Sequence, residues 1–211
     1  MSPTESNSSF VALRRFVRER ATAPVEQCDF CSAALADEHE HLIEPATRQF
    51  VCACQPCAIL FGSQGGTKYR RVPRRVSLLT DFRLTDAEWE SLMIPIGLAF
   101  FFRSSAGQQI VALFPSPGGP TEALPDPAAW REIEERNPAL QTMQPDVEAL
   151  LVNRIGSARE YFIAPIDECF RLTGLIRARW RGLSGGTGMW REIERFLVEL
   201  RRRCGQTAGS R

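Results

Sequence analysis

A chain of 211 residues with 44% hydrophobic and 24% charged side chains has the make-up of an ordinary globular protein, long enough for one good core and a small satellite module. Its formal net charge of +1 points to no class of partner, and its longest apolar run, Ile94 to Phe102 with a proline inside it, is too short to cross a membrane. Seven cysteines, five of them clustered between residues 28 and 57, fit a metal site in a reducing compartment better than a disulfide scaffold; with no apolar signal segment in the opening residues, the expected location is the cytoplasm.

In chain order, residues 1–25 begin polar and then turn amphipathic. Phe10, Leu13, Phe16 and Val17 repeat at helical spacing, with Arg14, Arg15, Arg18 and Arg20 elsewhere. The apolar face is only about two turns long, which favours packing on the protein's own core over a membrane surface or a partner.

Residues 26–62 hold the motif around which the chain is organised. Cys28-Asp29-Phe30-Cys31 and Cys54-Gln55-Pro56-Cys57 are two Cys-x-x-Cys pairs with 22 residues between Cys31 and Cys54. A two-residue gap closes a tight turn with both sulfurs pointing one way, and two such turns supply the four thiolates of a tetrahedral site. Between them, His41–Glu44 and Gln49–Cys52 read as a hairpin around Pro45–Arg48, and Ala58–Phe61 begins a short helix that ends at Gly62. Turn, hairpin, turn and helix is the order of a treble-clef zinc finger. Cys52 is a fifth candidate ligand, and His39 or His41 could stand in for a cysteine. Zn2+ is the preferred ion because no glycine follows Cys31 or Cys57 as in a rubredoxin knuckle; four thiolates also suit a single iron or an iron–sulfur cluster, which would make this an electron-transfer protein.

Residues 63–75 form a basic linker or edge strand. The loop Gly62–Thr67 lacks the Gly-Lys-Ser/Thr of a phosphate-binding loop. Lys68, Arg70, Arg71, Arg74 and Arg75 then crowd into eight residues. They read either as a nucleic-acid or phosphate patch or as an edge strand guarded by its charges. No recognition helix or aromatic-interleaved strand accompanies them, which argues against nucleic acid.

From residue 76 to 204 the pattern is that of an α+β domain with a short antiparallel sheet and C-terminal helices. Thr85-Asp-Ala-Glu88 is a capping box opening a helix to Met93. Ile96–Arg103 and Gln109–Phe114 read as a hairpin, and Pro115–Pro120 as an irregular loop. Asp126 and Pro127 open a helix with Trp130 and Ile133 inward. Pro145–Val152 fits either a helix or a turn plus strand. Arg159–Ala164 is a strand, a helix follows from Pro165 to Trp180, and Thr187–Arg203 is a terminal helix with Trp190, Ile193, Phe196, Leu197 and Leu200 on its apolar stripe. Residues 205–211 read as a disordered tail.

A catalytic constellation is not visible. His39 and His41, the only histidines, flank the finger without a nucleophile elbow. Asp167 and Glu168 read as acids at a helix N-terminus, and Cys169 and Cys204 as buried or tail thiols. The expectation is a protein without enzymatic activity.

The assembled strings Cys28-Asp-Phe-Cys31, His41-Leu42, Cys52-Ala-Cys54-Gln-Pro-Cys57-Ala58, Ala99-Phe-Phe-Phe-Arg-Ser-Ser105, Phe114-Pro-Ser-Pro-Gly-Gly-Pro-Thr-Glu122, Pro145–Asn153 and Trp180-Arg-Gly-Leu-Ser-Gly-Gly186 resemble a family of uncharacterised bacterial proteins with an N-terminal four-cysteine zinc finger, encoded beside the genes of uptake nickel–iron hydrogenases. The resemblance covers nearly all of residues 10–203. It implies a soluble accessory or assembly protein whose partner is a hydrogenase subunit or maturation factor.

Overall fold

The computed structural model describes residues 25–62, 68–116, 118–181 and 186–207. The expected helix of residues 10–20, the body of the glycine-rich loop and the last residues of the tail lie outside them. The first unit is a three-stranded antiparallel sheet in the order β2-β1-β3, made of β1 (Glu40–Glu44), β2 (Gln49–Ala53) and β3 (Arg70–Arg71), with helix α1 (Gln55–Phe61) after β2. A six-stranded antiparallel sheet follows, built from β4 (Ser77–Leu78), β5 (Leu98–Ser104), β6 (Gln109–Ser116), β7 (Gly119–Ala123), β8 (Glu148–Asn153) and β9 (Glu160–Pro165) in the order β4-β9-β8-β5-β6-β7. Its helices are α2 (Asp86–Ser91), α3 (Pro127–Arg136), α4 (Ile166–Arg179) and α5 (Gly186–Thr207), with a 3-10 turn at Pro138–Thr142. The protein is therefore α+β, with antiparallel sheets and C-terminal helices.

The large sheet is covered on both faces, which explains strands that are apolar throughout rather than alternating. Leu98, Phe100, Phe102, Leu113, Leu151 and Phe162 point to one side and meet Ile166, Cys169, Leu172 and Ile176 of α4 and Ile193, Phe196 and Leu200 of α5. Ala99, Phe101, Ala112, Leu150, Val152 and Ile163 point to the other and meet Trp130 and Ile133 of α3, Leu140, Met143 and Leu92. Phe101 stacks on Trp130 with centroids 5.3 Å apart, and Trp89 approaches it edge-on at 6.2 Å. The expected caps are present. Thr85 Oγ1 accepts from the Glu88 amide while Glu88 Oε2 accepts from the Thr85 amide, and Asp126 Oδ1 accepts from the amides of Ala128 and Ala129.

Two expectations need correction and one open alternative is decided. The 115–120 stretch is not an irregular loop: β6 runs through Pro115 to Ser116 and pairs with β7, Pro115 facing Pro120 and Ser116 facing Gly119. Ser116 Oγ donates to the Gly119 carbonyl at 2.8 Å, and Gly119 takes φ 117, a backbone that only glycine adopts without strain. The undecided 145–152 segment is a turn followed by β8. Trp190 is 47% exposed, and Met189 takes the inward position with Ile193, Phe196, Leu197 and Leu200. One residue is a step of about 100° around a helix, so Trp190 falls at the margin of the stripe.

The hairpin β1–β2 stands between the two units, and strand alternation assigns its faces. Leu42 enters a small core with Cys28, Ala53 and Ala58, whereas Ile43 enters the core of the large sheet beside Val72 and Val76. Phe50, the register partner of Ile43, lies edge-on to Phe170 at 5.5 Å. Arg48 in the hairpin turn bonds Glu122 of β7 at 2.6 Å and lies over the Phe102 ring.

Candidate metal centre

The first cysteine pair sits in a knuckle. The amides of Cys28 and Ser32 donate to the carbonyls of Ala33 and Cys28, each at 2.8 Å, and Ser32 holds the left-handed φ of 59 that closes the turn. Serine here does the work a glycine would otherwise do, so the missing glycine after Cys31 does not separate a zinc knuckle from a rubredoxin one. Asp29 clamps the knuckle to β2: its amide donates to the Cys52 carbonyl, and its carboxylate accepts from the Cys52 amide at 2.6 Å. Phe30 stacks on Phe61 at 4.4 Å and meets Tyr69 edge-on.

The second pair opens α1. Cys54 is the extended N-cap residue, and Pro56 lies in the first turn, where a missing amide costs nothing. Gly62 ends the helix where a Cβ would come within 2.6 Å of the Ala58 carbonyl, 2.7 Å of Leu42 Cδ2 and 2.9 Å of Arg71 Cβ. That close approach lets α1 lie against β1 and β3, which aims its first turn at the knuckle. Knuckle, hairpin and helix start thus follow treble-clef order.

The sulfurs of Cys28, Cys31, Cys54 and Cys57 converge within 4.8 Å of one another. A tetrahedral ion with metal–sulfur arms of about 2.3 Å separates its sulfurs by about 3.8 Å; Cys31 and Cys54 sulfurs are 3.7 Å apart. Cys28 is buried, Cys54 and Cys57 are half-buried and Cys31 is exposed. Burial works to raise the Cys28 thiol, but the backbone amides of Cys54, Phe30 and Cys31 outweigh it and bring it down to about 6. Cys57 is pushed up to about 12, first by its bond with the Cys54 sulfur and then by desolvation. Crowded sulfurs resist becoming thiolates together, and a divalent cation supplies the charge that lets all four ionise. The donor set fits a metal ion.

Cys52, His39 and His41 form a separate group. Each offers a ligand atom within 4.8 Å of the other two. Strand pairing explains why: Cys52 is the register partner of His41, and His39 lies two residues before it, so all three share the face of the hairpin that Ile43 turns toward the large sheet. The His41 ring bonds Asp167 at the start of α4, Nδ1 to Oδ2 at 2.6 Å. That bond is the main cause raising the His41 pKa, against the opposing effect of burial. Burial, followed by the charges of Asp29 and Glu26, raises the Cys52 thiol. Asp167 was read in the sequence only as a helix-start acid; 126 residues separate it from His41, and no local pattern connects them.

Each of the five basic residues pairs with a carboxylate of its own chain. Lys68 pairs with Glu44 at 3.2 Å, Arg71 with Glu40 at 2.8 Å, and Arg74 with Glu40 and Glu38 at 3.5 and 3.9 Å, all on the finger side. Arg70 reaches Asp146 at 3.3 Å and Arg75 reaches the fully buried Glu148 at 3.0 Å on the sheet side. Cys169 is buried in the main core, where desolvation holds its thiol well above the ordinary range, and Cys204 packs against the same core.

The fold and site define a class of protein in which a four-cysteine finger of treble-clef order is docked on an antiparallel α+β domain. The chain belongs to the family of unknown function DUF5947, whose model matches residues 27–204, a span that takes in both cysteine pairs and the whole of the large sheet. No curated protein and no solved structure gives a significant match. Among the described residues, no helix is long and apolar enough to cross a membrane.

Proposed function

We propose that Cys28, Cys31, Cys54 and Cys57 hold a structural Zn2+ and that the protein is a non-enzymatic accessory or assembly factor acting through protein–protein contacts, in association with a nickel–iron hydrogenase. The observation that carries the metal reading is the convergence of four sulfurs at tetrahedral spacing: four protein thiolates fill a tetrahedral zinc, the closed arrangement of structural sites. Among the described residues, only four are buried in the finger's own core, so metal energy serves as folding energy. The hydrogenase association rests on the sequence resemblance alone, an associational ground.

Two experiments test this reading. Elemental analysis of protein purified without air should find zinc and no visible absorption. Tagged protein recovered from a host that expresses a nickel–iron hydrogenase should bring down a hydrogenase subunit or maturation factor, and repeated recovery of neither removes that part of the proposal. Iron is the second reading, favoured by the Ser32 knuckle, which meets the rubredoxin turn without glycine; colour and iron content would establish it. A nucleic-acid role has less support, because each of Lys68, Arg70, Arg71, Arg74 and Arg75 already faces a carboxylate of its own chain.

A further inference from the structure

We propose that His39, His41 and Cys52 form a second metal site, distinct from the four-cysteine centre, which takes a Zn2+-class divalent cation through two imidazole nitrogens and one thiolate. Its three ligand atoms already lie within 4.8 Å of one another. The hairpin register pairs His41 with Cys52, and His39 lies one residue before β1.

The histidines are oriented as ligands. His39 Nδ1 lies 3.0 Å from the Ala36 carbonyl, which requires the proton on Nδ1 and leaves the Nε2 lone pair bare. The His39 side chain is only 7% exposed, and its Nε2 is buried without a hydrogen-bond partner. A histidine kept for packing alone would find a partner for that nitrogen. His41 is held through Nδ1 by the Asp167 carboxylate at 2.6 Å, the carboxylate–histidine arrangement that fixes tautomer and ring direction at metal sites. Its Nε2 is likewise the nitrogen left for an ion. Glu26, 3.5 Å from His39, and Asp29, bonded to the Cys52 amide, add the negative charge that favours a cation.

Two nitrogens and one sulfur leave the fourth tetrahedral position to a non-protein ligand, which is the donor set of catalytic rather than structural zinc sites. Both histidines line a cleft of about 840 Å3.

The proposal does not depend on which ion fills the four-cysteine centre. Full-length protein stripped of metal under reductant would be titrated with Zn2+ and then, separately, with Co2+, whose absorption distinguishes four-sulfur from mixed nitrogen–sulfur coordination. The wild type should bind two equivalents. Cys52→Ser and His39→Gln should each bind one and keep the four-sulfur spectrum, with unchanged circular dichroism. Asp167→Asn should weaken the second equivalent by about 10–100-fold and leave the first untouched, since it acts by positioning His41. A single wild-type equivalent that survives in Cys52→Ser and His39→Gln overturns the proposal, as do two equivalents persisting in both variants. Loss of the four-sulfur spectrum in Cys52→Ser with no effect of His39→Gln would place Cys52 in the first site and also overturn it. A single equivalent lost in both variants would uphold this site and remove the four-cysteine reading instead.

Discussion

Loss of the four-cysteine metal, by chelation or by Cys57→Ser, should open residues 26–62 and weaken the large sheet without unfolding it. Among the described residues, the finger's own core has only Cys28, Leu42, Ala53 and Ala58 buried. Phe30, Leu35, Val51, Phe61 and Tyr69 pack on it only partly buried, which is little apolar burial to set against the ordering of the segment. A structural zinc adds on the order of 10 kcal/mol, so its removal decides the finger's fate. The large sheet loses less. Ile43 leaves its core, Val72 loses the bond from its amide to the His41 carbonyl, and Phe50 leaves Phe170. Fully burying such a side chain is worth about 1.5–3 kcal/mol, so about 3–5 kcal/mol in all. At about 2–4 °C per kcal/mol, the melting temperature of the sheet should fall by roughly 6–20 °C. Hydrogen exchange measured by mass spectrometry reads both effects. Peptides within 26–62 should exchange at once, while those covering β5, β6, β8 and β9 stay protected. If the sheet peptides lose protection together with the finger, the two units are one cooperative structure and the reasoning fails. It fails equally if the finger stays protected once its metal is gone.

Three other perturbations have defined outcomes. Glu148→Ala removes a fully buried carboxylate that accepts from the Gln144 amide at 2.9 Å and pairs with Arg75; it should cost about 1–3 kcal/mol in urea unfolding, and a cost below 0.5 kcal/mol by that assay would mean the clasp between basic strand and sheet contributes nothing. Phe101→Ala should cost about 3–5 kcal/mol by thermal unfolding, because the ring fills the space between Trp130 and Trp89. Burial opposes ionisation of Glu88, but bonds from Thr85 and the charge of Arg136 win and hold its pKa below the usual 4.5. A folded pKa below the unfolded one means stabilisation present above pH 4.5 and lost as pH falls through the folded value; Glu88→Gln should therefore shrink the stability lost on acidification, and an identical acid profile would contradict the assignment.

What was legible in the sequence was local. The Cys-x-x-Cys turns, the hairpin between them, the capping box at Thr85 and the Asp126–Pro127 helix start each depend on residues within a few positions of one another. β8 was not legible, because all six residues from Glu148 to Asn153 are buried and a strand covered on both faces loses its alternation. β7 was hidden by Pro120 and its partner Pro115 on β6, which signal a loop until their cross-strand pairing is seen. The basic run was readable as charge but not as a clasp, since Arg75 and its partner Glu148 are 73 residues apart. His39, His41 and Cys52 were each noted as alternative ligands for the four-cysteine centre; their grouping with one another needed the register of β1 against β2.

That register divides β1 between the two units. Along β1, His41 and Ile43 face the large sheet while Glu40, Leu42 and Glu44 face the finger's core and the basic strand, so one five-residue strand serves two units. Ion pairs repeat the division: Lys68, Arg71 and Arg74 reach the finger, and Arg70 and Arg75 reach the sheet domain. His41 to Asp167 and Arg48 to Glu122 add ties at either end. A finger held by a shared strand, a row of ion pairs and a histidine–carboxylate bond is tied to the sheet domain at several points. Its basic surface is already matched, and each contact that matches it fixes the finger's direction on the sheet. A metal on the four cysteines would therefore do more than fold the finger. By ordering β1, it would set the face on which His39, His41 and Cys52 meet and the cleft that those histidines line.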